Sequence, residues 1–75
     1  MNIFIKTLKE LGFKKMNRSS ISYEHGERHE WYAEMLDDRV WITGKGLKEM
    51  QSYPGGWVYS DPKELKEDVL KALES

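Results

Sequence analysis

The apolar residues of this chain change period at Gly12 and change back after Ser60, and that double switch constrains the fold more than any other feature. Phe4, Leu8 and Leu11 recur at i, i+4 and i+7, with Ile5 widening the stripe, which is the spacing of one helical face. Asn2 stands where a side-chain oxygen can accept from the first turn. Gly12 follows the last periodic residue, at a position whose left-handed backbone favours glycine, and Phe13 then folds back on the last turn as in a Schellman ending. The pattern predicts a helix that stops at Gly12.

Beyond Phe13 the period is two. Ile21 and Tyr23 alternate with Ser20, Ser22 and Glu24 up to His25-Gly26. With Glu24-His25-Gly26 as a three-residue loop, Tyr23 faces Glu27 and Ile21 faces His29. That register aligns Ile21, Tyr23, Trp31, Ala33 and Met35 on one face, whereas a two-residue turn at Gly26-Glu27 sets apolar residues beside Glu30 and Tyr32. A second turn at Asp37-Asp38 pairs Met35 with Val40 and Ala33 with Ile42. The opposite face then holds Tyr32, Glu34, Arg39, Trp41 and Thr43, with Glu34 across from Trp41 and Tyr32 across from Thr43. Two independent turn assignments agree on one inner face, as expected of a three-stranded meander.

Residues 44–56 are mixed: Leu47 and Met50 permit one helical turn, while Gly44, Gly46 and Pro54-Gly55-Gly56 demand turns. Trp57 to Ser60 suits a fourth strand with Trp57 and Tyr59 on one side. Asp61-Pro62-Lys63-Glu64 is a helix start, with Asp61 as cap, Pro62 where its missing N–H is harmless and Glu64 completing a capping box. Leu65, Val69, Leu70, Ala72 and Leu73 supply the stripe that follows. The expected fold is α+β: a two-layer sandwich over residues 1–75 as one domain, of order α-β-β-β-(β)-α, an antiparallel meander with both terminal helices on one sheet face.

Composition now limits function. A chain of 75 residues buries only about 60% of its unfolded surface, and the absence of cysteine excludes disulfides, thiolate metal sites and thiol nucleophiles. No apolar run reaches the roughly 18 residues of a membrane span, and Lys6, Lys9 and Glu10 interrupt the first segment, so a cytoplasmic location without membrane contact is expected. Net charge is −1, unevenly spread: residues 1–25 carry five basic and two acidic side chains, +3, and residues 26–75 carry seven and eleven, −4.

Catalytic motifs are weak. The order His25-Gly26-Glu27-Arg28-His29 is not the helical H-E-x-x-H of zinc proteases. The expected reading is a solvated turn histidine at 25 and a strand histidine at 29 beside Ile21, with no metal. Glu34, Asp37 and Asp38 surround an exposed turn, where nothing separates their pKa values for acid–base work. The serines include no G-x-S-x-G elbow, and Thr43-Gly44-Lys45-Gly46 lacks the spacing of a phosphate loop. No cofactor and no enzymatic activity are expected.

Nine aromatic side chains remain to be explained. Tyr23 and Trp31 belong with the core, while Tyr32, Trp41 and Tyr53 are candidate surface aromatics. Tyr32, Glu34, Arg39, Trp41 and Thr43 have the composition of a protein-binding hot spot, expected to serve a protein partner or self-association. A small inhibitor or adaptor of phage or bacterial type is one form of this expectation. The second reading is an RNA- or DNA-binding module of double-stranded-RNA-binding-domain-like topology, with Lys14, Lys15 and Arg18 on phosphates. The element order, opening with Leu8-Lys9-Glu10-Leu11-Gly12-Phe13-Lys14-Lys15, resembles the HicA-type toxins, and the resemblance implies that topology and RNase activity. The family's Gly-Ser-His-His segment falls near Arg18-Ser19-Ser20-Ile21, where no histidine stands, and this departure removes the basis for assigning RNase activity.

Overall fold

The computed structural model describes residues 2–49 and 55–74. Helix α1 spans Ile3–Glu10, and its N-cap is Asn2, whose side-chain oxygen accepts from the Phe4 N–H at 2.8 Å. Gly12 has φ +99°, and its N–H closes on the Lys9 carbonyl at 3.2 Å, the inner bond of a Schellman ending. Five strands follow: β1 Phe13–Lys15, β2 Ser22–His25, β3 Tyr32–Met35, β4 Val40–Thr43 and β5 Gly56–Tyr59. They form one antiparallel sheet in sequential order, and helix α2, Pro62–Glu74, completes the chain. Asp61 accepts from the Lys63 N–H at 3.0 Å, so it caps α2 as its sequence position predicts.

The α+β meander with both helices on one face is the arrangement the periodicities imply, enlarged by one strand. Phe13–Lys15 pairs with β2, setting Phe13 opposite His25 and Lys15 opposite Tyr23. The core joins Phe4, Leu8 and Leu11 of α1 and its end to Leu65, Val69 and Ala72 of α2. Between them lie the inner-face residues Phe13, Tyr23, Trp31, Ala33, Val40, Ile42 and Tyr59. Helix α1 touches α2 and β1, and α2 touches β5.

The β3–β4 register is the expected one: Met35 opposes Val40, Ala33 opposes Ile42, Glu34 opposes Trp41 and Tyr32 opposes Thr43. The β2–β3 register differs. Tyr23 opposes Ala33 rather than Glu27, and His25 belongs to the strand, so the short hairpin loop is replaced by a longer connection. The side chains keep their faces because the shift is an even number of residues. Ile21, expected in the core, is 44% exposed. It remains on the inner face, where its carbonyl accepts from Met35 N–H at 2.8 Å, but at the end of the sheet where α1 has only begun.

The two histidines exchange the environments expected of them. His25 is 4% exposed, and its ring meets Phe13 and Trp31 edge-on at 5.1 and 5.3 Å. His29 is exposed, 3.5 Å from Glu24. Residues 45–46 form a turn closed by the Leu47 N–H on the Gly44 carbonyl at 3.1 Å, and no helical turn forms over 44–49. Met50, Tyr53 and Pro54 lie outside the described residues. Leu70, counted in the α2 stripe, is instead among the exposed large apolar residues.

Candidate interaction surface

The strand registers write the outer face as two rows. One runs Lys14, Glu24, Tyr32, Thr43, Gly56, and the other runs Ser22, Glu34, Trp41, Val58. Four of the five expected contact residues therefore share one surface. Arg39 does not join them. It sits in the exposed turn before β4, with its Nε 3.5 Å from Asp38.

The hydroxyl groups of this face are hydrogen-bonded. Ser19 Oγ donates to Ser22 Oγ at 3.0 Å, Ser22 Oγ meets the Tyr32 hydroxyl at 2.8 Å, and Tyr32 donates to Glu34 Oε1 at 3.4 Å. Because Tyr32 has one proton and gives it to the carboxylate, Ser22 donates to Tyr32, and the chain runs in one direction. Tyr32 also meets Trp41 edge-to-face, with ring centroids 6.0 Å apart. The Trp41 indole lies directly over Gly56, whose missing side chain provides its seat: any Cβ there would overlap the ring. Trp41 Nε1 is buried and has no hydrogen-bond partner among the described residues. Thr43 donates its hydroxyl to the Gly55 carbonyl. Trp41 is thus half-buried, seated in the sheet rather than projecting from it.

Compared with known proteins, the chain matches no family model, no curated protein and no solved structure.

The basic cluster is only partly assembled. Lys14 and Lys15 alternate across the edge strand β1, and a depression of about 390 Å³ gathers them with Asn17, Glu24 and His29. Arg18 lies on the exposed connection to β2 and does not line that depression. Glu24 sits among the cations, which weakens the field an anion would meet.

Among the described residues, no three His, Asp or Glu side chains come together as a metal site. No helix there is long and apolar enough to cross a membrane. His25 is committed internally: Nδ1 accepts from the Glu27 and Arg28 N–H groups at 3.1 and 3.0 Å, so Nε2 carries the proton given to the Leu11 carbonyl at 2.9 Å.

One network escaped the sequence reading. Lys48 Nζ lies 2.9 Å from Asp68 and 3.5 Å from Glu64, and 4.7 Å from the centre of the Trp57 ring. Tyr59 donates to the same Asp68 oxygen at 2.6 Å. Burial opposes the charged form of Asp68, but hydrogen bonds from Tyr59 and Lys48, with the Lys48 and Lys71 charges, hold its carboxyl below the ordinary value. The hydrogen bond to Asp68 raises Lys48 above the usual lysine range against a desolvation that lowers it, with Glu64 adding to the rise. Burial, then Asp68, pushes the Tyr59 phenol up. Glu64, expected to complete a capping box with Asp61, is turned toward Lys48 instead.

Proposed function

We propose that this chain is a non-enzymatic protein–protein interaction module, contacting its partner through the outer sheet face with Tyr32, Glu34, Trp41 and Thr43, and with Arg39 at the margin. The carrying observation is the one-sided core. Every buried sheet aromatic and both helices lie on the inner side, while the opposite side keeps a half-buried Tyr32–Trp41 pair beside Glu34. Aromatic rings beside one carboxylate, held rigid by a hydrogen-bonded hydroxyl chain, suit recognition at low entropic cost. A small inhibitor or adaptor is one form of this reading, and self-association through the same face is another.

The test is affinity capture from lysate with the wild type, Trp41→Ala and Glu34→Lys, each first checked for native circular dichroism. The reading expects one bound protein to be reduced at least about tenfold by both variants. A bound set unchanged by either substitution overturns it.

A second reading, nucleic-acid binding at the β1 edge, draws on the gathering of Lys14, Lys15 and Asn17. It expects oligonucleotide affinity to fall steeply with salt and on Lys14→Glu/Lys15→Glu substitution. Absence of anisotropy change with single- and double-stranded oligonucleotides at low salt removes it.

A further inference from the structure

Among the described residues, three of the four exposed large apolar side chains lie toward one end of the molecule: Ile3 begins α1, Met16 follows β1 and Ile21 precedes β2, while Leu70 lies on α2. The Asp37-Asp38 turn between β3 and β4 closes the same end of the sheet. There a depression of about 640 Å³ opens between the start of α1 and the strand ends. Ile5, Ile21, Met35 and Leu36 form its apolar lining, and Asp37, Asp38 and Arg39 are its charged residues. Ile5 and Met35 are packed against the core, so the depression opens onto the edge of the core's inner layer beside the start of α1.

We propose that this end is a self-association surface and that its occupant is a second copy of the chain. The rim carries both signs: Asp37 has no ion pair among the described residues, and Arg39 is held only by an exposed contact to Asp38 at 3.5 Å. Such a pair is weak in water and exchanges readily. A twofold rotation brings Arg39 of one copy to Asp37 of the other and repeats the contact in reverse, as an isologous interface requires. The same rotation offers the protruding Ile21 of each copy to the depression of the other, where Met35 and Leu36 receive it. A purely acidic partner would meet Asp37 and Asp38, and a purely basic one would meet Arg39, whereas a second copy brings both signs. One end of a chain exposing 5189 Å² supplies a small interface, so the association belongs to the weak, transient class, below roughly 1,200 Å² in total. With the outer sheet face it shares only Arg39, at the margin of both.

Sedimentation velocity and light scattering between about 10 µM and 1 mM test the proposal, a range matched to weak association. The weight-average mass is expected to rise from 8.9 kDa toward twice that value. Ile21→Asp, whose exposed position leaves the fold intact by circular dichroism, should keep the chain monomeric throughout. Arg39→Glu or Asp37→Arg alone should weaken dimerisation at least about fivefold, and the double reversal should restore it, because opposite signs then face each other again. Trp41→Phe should leave it unchanged. A wild type monomeric at 1 mM overturns the proposal, as does a dimer indifferent to Ile21→Asp or one not recovered by the double reversal. A monomer whose Ile21 and Leu36 methyl signals shift only with an added lysine- and leucine-rich peptide also overturns it, and assigns the depression to a basic peptide partner.

Discussion

His25 is the residue on which the closed end of the molecule turns. Its ring links the end of α1, through the Leu11 carbonyl, to the β2–β3 connection, through two backbone N–H groups, and it stacks edge-on between Phe13 and Trp31. Gly12 must be glycine here: its φ is +99°, and a Cβ would stand 2.8 Å from His25 Nε2. Replacing His25 by Phe keeps a planar ring but enlarges it and orphans one buried carbonyl and two part-buried N–H groups. We expect His25→Phe and His25→Ala each to lose about 2–4 kcal/mol in urea unfolding. A His25→Phe chain as stable as wild type would show that packing, not hydrogen bonding, sets the ring's contribution.

At the scale of elements, the Lys48 cluster ties residues 44–49 to β5 and α2. The Asp68 carboxyl is held below its ordinary value, so its contribution is present above the usual carboxylate range and is lost as pH falls through the lowered value. The raised Lys48 has the opposite sign: its contribution is full below the usual lysine value and lost as pH rises through the raised one. At neutral pH both operate. Lys48 is substantially solvent-exposed, so screening limits the pair to about 1 kcal/mol. Asp68→Asn should therefore lower the thermal midpoint by roughly 4–8 °C at neutral pH, and the gap to wild type should close on acidification below the carboxylate range. A gap independent of pH would assign the effect to packing. The edge strand β1 is another element-scale device: three residues long and carrying Lys14 and Lys15, it discourages further strand addition. Replacing both lysines with Val should promote aggregation, measured as turbidity on mild heating, whereas an unchanged onset would mean that β1 is protected by its shortness alone.

For the whole molecule, one core depends on segments from both ends of the chain. Leu65, Val69 and Ala72 of α2 close over Tyr59, Val40 and Ile42, beside Phe4 and Leu8 of α1. A chain lacking residues 61–75 exposes that layer, and its amide NMR spectrum should lose dispersion. A dispersed spectrum would mean that α1 and the sheet hold together without α2. The same dependence explains what was legible beforehand. The β3–β4 pairing could be read because a tight turn at Asp37-Asp38 and the alternation beside it both demand one register. The β2–β3 pairing could not, because Gly26 marks a turn equally well in a short or a long connection. The outer-face membership of Tyr32, Glu34, Trp41 and Thr43 was legible, since strand alternation alone decides it. That Trp41 lies flat over Gly56 was not, because the seat comes from a strand fifteen residues further along.

The sequence by itself determined both helices and strands β2 to β5, the caps at Asn2 and Asp61, and which side of the sheet the residues of those strands face; β1 it did not. These depend on spacing and on neighbours a few residues away. Only the tertiary structure decided burial at the polar and terminal positions. His25 is enclosed because a carbonyl fourteen residues earlier accepts its proton, and Ile21 is bare because α1 begins too late to cover it. Lys48 pairs with Asp68 because α2 returns across β5. Periodicity assigns a side chain to a face; whether that face is covered depends on where a distant helix begins and ends.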